Sequence, residues 1–177
     1  GFSIYRIKLE RANVMLGRGD FAGARKIYQE LTEISAPMIE AWYMLGLIAL
    51  YEDDQSLFRE ASGVLADERS FMPGMLLLGE WALREGRYGD ARLVLDQAGM
   101  LEPTSLKVME RLLLLDYQAR DAEALRERSA AMLALDPDHP LGLFGSASVY
   151  IAEGQYDLAE IPLRRCLGIV TFAPALN

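Results

Sequence analysis

A helix-ending turn recurs along this chain at a nearly fixed spacing. The stretch Leu78–Pro103, L-G-E-W-A-L-R-E-G-R-Y-G-D-A-R-L-V-L-D-Q-A-G-M-L-E-P, shows it most clearly. Leu78, Ala82 and Leu83 share one helical face. Gly86 then stops the helix, because a residue without Cβ enters the left-handed conformation without strain. Tyr88, Ala91, Leu95 and Ala98 form a second stripe at helical spacing. Pro103 blocks continuation, since it lacks an N–H and biases the residue before it away from helix. Gly79, Ala91 and Ala98 are small enough for two helices to approach closely, with Tyr88 and Leu95 filling the space beside them. The turn at Gly86 has counterparts at Gly19, Asp53, Arg120 and Gly154, giving successive separations of 34, 33, 34 and 34 residues. Ala91 recurs as Ala24 and Ala159, with Phe58 and Leu125 in the other two copies. Pro103 recurs as Pro137, Leu78-Gly79 as Leu45-Gly46, and Tyr88 as Phe21 and Tyr156. One chemistry at one phase of a fixed period is the mark of a solenoid, in which each repeat buries its apolar face on its neighbours.

This pattern resembles the tetratricopeptide repeat, a helix–turn–helix unit of about 34 residues. Leu78, Gly79, Gly86, Tyr88, Ala91, Leu95, Ala98 and Pro103 carry the resemblance. It implies an all-α fold, a right-handed α-solenoid of five tandem repeats in one array over residues 1–177. The repeats run over about 3–36, 37–71, 72–104, 105–138 and 139–172, and residues 173–177 begin a further helix or a tail.

Individual copies depart from the pattern in predictable ways. Asp20 and Asp121 are placed to cap second helices, and Thr104 to cap the first helix of the fourth repeat. Pro140 suits a first helical turn. The second repeat is one residue short, with Phe58 where alanine is usual and Gly63 in mid-helix. That predicts a shifted helix start near Gln55. Pro162 falls within a helical pattern and predicts a kink or a late start. The last helix keeps Ile161, Leu163, Leu167 and Val170, which is apolar for an exposed end. The tail T-F-A-P-A-L-N reads as the entry to another repeat, and a start at Gly1 without methionine or a signal-like segment reads as a piece excised from a longer protein. A further chain or further repeats would cover that end.

Composition removes several function classes. The net charge is −8 and the pI about 4.7, and the eighteen basic residues form no long run. A phosphate backbone or an anionic membrane needs a basic footprint, so nucleic acid is not an expected partner. No stretch approaches 18 uninterrupted apolar residues, so membrane insertion is not expected. No phosphate loop, nucleophile elbow or metal motif occurs. The single histidine, His139, lies beside Asp136 and Asp138 in a predicted turn and reads as solvated. The single cysteine, Cys166, holds the register of Ala98 and reads as a small buried apolar group. Glu52-Asp53-Asp54 lacks the alternating ligands of a calcium loop and reads as capping and solvation. The chain is expected to be non-enzymatic, with no cofactor and no metal.

In the family that this chain resembles, the first helices line a concave groove. That implies a partner-binding face of Asn13, Tyr43, Leu47, Tyr51, Leu76, Glu80, Arg84, Lys107, Glu110, Arg111, Leu114, Tyr117, Phe144 and Ser148, with Leu9, Leu16, Leu50, Leu83, Gln118 and Ile151 beside them. A mainly apolar groove of this kind suits a helix or an extended peptide. One subgroup instead clamps the C-terminal carboxylate of heat-shock chaperones with Lys, Asn and Arg. Lys107, Arg111 and Asn13 match it, but Leu9 and Met44 stand where it has lysine and asparagine, and the matches lie too many repeats apart for one clamp. The leading reading is a protein-interaction scaffold that binds a protein or peptide. Self-association through the apolar C-terminal end is a further expectation. The alternative is a structural or regulatory segment of a longer repeat protein, docking partners for a larger enzyme or a bacterial envelope or secretion assembly.

Overall fold

The structure is a computed structural model that describes residues 3–34 and 38–172, with no side-chain description beyond Gly168. The described residues form ten helices and no strand: α1 Ile4–Gly17, α2 Phe21–Thr32, α3 Ile39–Glu52, α4 Gln55–Asp67, α5 Met72–Arg84, α6 Tyr88–Leu101, α7 Leu106–Gln118, α8 Ala122–Leu135, α9 Pro140–Ala152 and α10 Tyr156–Phe172. They are a run of helix–turn–helix pairs, an all-α repeat solenoid. The start of the second repeat at Pro37 and most of the tail, residues 173–177, lie outside the described residues.

Each odd-numbered helix ends where the periodic turn is expected. Gly19, Asp53, Gly86, Arg120 and Gly154 have φ of 84°, 56°, 70°, 55° and 73°, and are the residues with positive φ among those described. In all five the next amide reaches back across the turn: Asp20 to Met15, Asp54 to Ala49, Arg87 to Ala82, Asp121 to Asp116 and Gln155 to Tyr150, at 2.8–3.0 Å. This long reverse bond satisfies a carbonyl that the helix end would otherwise leave open. Three of the five turns use glycine. Arg120 has a Cβ and holds φ of 55° at a cost. Arg120→Gly is therefore expected to raise stability by about 1 kcal/mol, read as a higher urea midpoint at unchanged slope.

Side-chain caps follow. Asp20 accepts from the Gly23 amide at 2.9 Å, Asp54 from Leu57 at 3.0 Å and Asp121 from Ala124 at 3.1 Å. The helix start expected to shift is not shifted: α4 begins at Gln55, two residues after the Asp53 turn, the same offset at which α2, α6, α8 and α10 begin, so the missing residue is absorbed further on. Phe58 there is buried, and its ring lies 4.7 Å from Trp81. Thr104 does not cap α7. The Ser105 amide bonds to the Glu102 carbonyl, which puts Leu106 first in the helix and Ser105 at the cap without a side-chain bond. Pro162 does not delay α10, which starts at Tyr156 and runs through it. The carbonyl that loses its amide partner belongs to Leu158, an exposed residue that water can reach.

The helices group into two compact bodies, Gly1–Trp81 and Ala82–Asn177. In the first, α1 packs on α2, α2 on α3 and α3 on α4. Its core is built on Leu9, Tyr28, Leu31, Leu45, Ile48 and Leu65. Gly46 lets α3 approach the Leu77 side chain, whose Cδ2 would stand 3.2 Å from a Cβ there. In the second, α6 packs on α7, α7 on α8, α8 on α9, α9 on α10, and α7 also touches α9. Leu113, Leu125, Met132 and Val149 close its centre. Ala91 and Ala98 are fully buried, as close-packing positions require.

Candidate interaction face on the first helices

The residues expected to line the binding face are at least partly accessible, all fourteen of them, whereas Leu9 is core. They are not equally available. In the first body, Asn13 accepts from the Tyr28 hydroxyl at 2.8 Å and donates to Glu10 at 3.3 Å. Its amide is spent on satisfying a buried phenol, whose pKa burial and the nearby Glu10 charge push up to about 12. Tyr43 sets its ring edge-on to Phe71 at 5.8 Å, and burial together with Glu80 raises its pKa as well. Leu47 and Leu76 are half-buried, and Leu47 leans on the core. Tyr51 is exposed at its edge yet stacks flat on Phe21, with centroids 4.8 Å apart and planes within 3°. Glu80 is half-buried.

In the second body the structure draws the expected residues into one strip along α7 and α9. At one end, Glu110 Oε1 faces His139 Nε2 at 3.1 Å, while Oε2 takes Arg111 Nη1 at 2.9 Å. Arg111 also reaches the Lys107 carbonyl at 3.3 Å. His139 is buried, not solvated, because its ring caps α9: Nδ1 accepts from the Gly142 amide at 3.4 Å. That network puts the proton on Nε2, donated to Glu110. In mid-strip Leu114 is exposed, and Tyr117 and Phe144 meet with ring centroids 5.2 Å apart. Ser148 donates to the Phe144 carbonyl at 2.9 Å. Lys107 and Arg84 are exposed.

Beyond Tyr117 the strip opens into a cleft of about 400 Å³ lined by Tyr117, Gln118, Arg120, Ala122, Leu125, Ser148, Val149 and Ala152. Its origin is legible in the repeat register. Ala122 stands where α2 has Phe21, and Ala152 where α3 has Tyr51. In the first body those two rings stack and fill the space between a second helix and the next first helix. In the second body two alanines leave it open. Tyr117 and Ser148 are expected at this face from the sequence, whereas Ala122 and Ala152 are not, because missing bulk has no signal until the filled counterpart is known.

A second feature escapes the sequence reading. Asp116 on α7 is completely buried between Arg92 of α6 and Arg128 of α8, at 2.7 and 2.5 Å. Oδ2 receives a good hydrogen bond from Arg128 Nε. Oδ1 has Arg92 within ion-pair distance but not in bonding orientation. The signal is present, since Asp116 falls at the register of Ala49 and Ala82, both buried. Cys166 is half-buried rather than core, because α10 carries no further helix on its outer side among the described residues; its Sγ lies 3.6 Å from the Pro140 carbonyl. No helix among the described residues is long and apolar enough to cross a membrane.

No protein-family model and no curated protein matches the sequence. Solved structures match the fold. A MamA fragment from Desulfovibrio magneticus RS-1 superposes with a TM-score of 0.77 at 15% identity, over 97% of each chain. Pseudomonas aeruginosa PilF gives 0.76 at 20% identity, over 93% of this chain and 75% of that one. A thermophilic TPR protein of Thermus thermophilus, TTC0263, gives 0.64 at 18% identity, over 97% and 93%. The shared property is the helical-repeat fold.

Proposed function

We propose that this chain, which has the tetratricopeptide-repeat fold, is a non-enzymatic scaffold whose first helices bind a helix or extended segment of a partner protein. The observation that carries this reading is the α7–α9 strip ending in the alanine-floored cleft. Its size and its Tyr117, Leu125 and Val149 walls suit an apolar or aromatic anchor side chain, of the kind that dominates small protein interfaces. The exposed Leu114 and the Tyr117–Phe144 pair supply apolar contact along the strip, and Glu110, Arg111 and Lys107 supply polar orientation at its far end. Tyr43, Leu47, Leu76 and Glu80 give the first body a smaller face of the same kind. The acidic net charge argues against nucleic acid as the partner. Self-association through the apolar face of α10 belongs to the same reading.

The test is affinity capture by the parent chain beside a variant with Tyr43→Ala, Tyr117→Glu and Phe144→Ala. All three side chains are partly exposed, so the variant is expected to keep its helical circular dichroism. A protein held by the parent and lost by the folded variant is the expected result. Equal retention by both would overturn the reading.

A further inference from the structure

The internal contacts between repeats follow a charge rule that the two ends of the array invert. In α2, Arg25 bonds Glu52 at 2.6 Å and Asp54 at 2.8 Å, at the end of α3 and the turn after it. In α8, Arg126 bonds Glu153 after α9 in the same register. All four second helices before the last have arginine there: Arg25, Arg59, Arg92 and Arg126. The residue before the turn is glutamate at Glu52, Glu85 and Glu153. Only Ala119 breaks the rule within the array, and there Arg92 turns to Asp116 instead. At the ends both signs are reversed: α10 has Glu160 at the arginine register, and Arg18, which caps the C-terminus of α1, stands at the glutamate register.

The apolar surfaces at the ends agree. On α1, Ile7 and Val14 are 55% and 52% exposed. The residues at their registers in α3, α7 and α9 are buried: Ala41, Val108 and Gly142 for Ile7, and Ile48, Leu115 and Val149 for Val14. In α9 the cover is known, since Gly142 lies against Leu133 and Met132 of α8. On α10, Leu163 and Cys166 are half-buried, whereas their counterparts Leu95 and Ala98 in α6, and Ser129 and Met132 in α8, are closed off. So α1 presents the face that a second helix covers elsewhere, and α10 presents the face on which a first helix sits elsewhere.

We propose that copies of this chain dock head to tail, α1 of one copy seating on α10 of the next, with Arg18 pairing Glu160 as a sign-reversed version of the Arg25–Glu52 contact. This rests on the self-association named above and assigns its two surfaces. The reversal matters for specificity. A wrong pairing that brought Glu160 against Glu52 or Glu153, or Arg18 against Arg25 or Arg126, would set like charges together. Glu160 is held meanwhile by Arg164 at 2.7 Å on the same helix, an exposed pair worth little and readily exchanged. The contact is heterologous, so each added copy leaves one α1 face and one α10 face available, and assemblies grow with concentration.

Sedimentation velocity on the 177-residue chain across the micromolar range tests this. The average mass is expected to rise with concentration. Arg18→Glu alone and Glu160→Arg alone should each weaken association about tenfold, and the two together should restore it to within about threefold of the parent. Ile7→Glu should abolish it without any change of charge at the pair, and serves if a charge variant misfolds. A chain that stays monomeric, single variants that associate like the parent, or a double variant without rescue would each overturn the proposal. Neither Arg18 nor Glu160 lies on the α7–α9 strip. A monomeric chain that still captures a partner through that strip therefore overturns only the head-to-tail contact.

Discussion

Asp116→Ala is expected to lower stability by about 3 kcal/mol, the largest loss of any single change considered for this chain. The carboxylate is wholly buried and sits between two guanidinium groups that reach it from neighbouring helices. Removing it leaves Arg92 and Arg128 facing each other across a small void, with their shared counter-charge gone. Both arginines are partly exposed, which lets water relieve some of the repulsion and keeps the loss from being larger. A urea midpoint measured beside Asp116→Asn separates charge from shape. The asparagine fills the same space and should recover part of the loss, not all of it. Because a buried ion cluster seldom outperforms an apolar core of equal volume, Asp116→Leu with Arg92→Met and Arg128→Leu should regain most of the parent's stability. If Asp116→Ala unfolds at the parent's midpoint, the cluster contributes nothing and the assignment fails.

Gly145→Ala is expected to cost about 2 kcal/mol, although alanine is the better helix former. A Cβ there would stand 2.2 Å from Ser129 Oγ and 3.0 Å from Leu113 Cδ1. Ser129 is buried, and its hydroxyl is already committed to the Leu125 carbonyl at 2.6 Å, so it cannot simply swing away. The strain is therefore in the hydroxyl, and Ser129→Ala should remove most of it. The double variant is expected to be more stable than Gly145→Ala alone, a coupling that thermal unfolding of the four proteins measures directly. Additive losses would show that α8 and α9 do not meet as described.

The period of the turn makes the fold legible, because five left-handed positions need one special conformation and only a repeat places them so evenly. The same regularity exposes its exceptions. Arg120 and Asp53 hold a conformation that glycine holds elsewhere, and Phe58 is accommodated by the ring of Trp81. Part of the candidate face is legible too, since Tyr117, Phe144, Ser148 and Glu110 do gather along α7 and α9. Three features are not. Asp116 reads as one more polar residue in L-L-L-L-D-Y-Q, and its burial depends on arginines that are distant in sequence and adjacent only after three helices pack. His139 reads as a turn residue, and its burial follows from capping α9 while meeting Glu110 of another helix. The cleft is made by what Ala122 and Ala152 lack, so it becomes visible only beside the stacked Phe21 and Tyr51. Asn13 shows the converse: its position suggests a face, and its bonds go to Tyr28 and Glu10.

Partner binding, as proposed, centres on the cleft between Ala122 and Ala152. The direct measurement is the affinity of the captured partner for the parent chain and for a chain with Ala122→Phe and Ala152→Tyr, which restores the ring pair found at the α2–α3 contact. Filling the cleft should leave the fold intact and weaken binding about tenfold or more, since an anchor side chain would lose its seat. Undiminished affinity in the filled variant would contradict an anchor seated there, and would place recognition on some other surface of the chain.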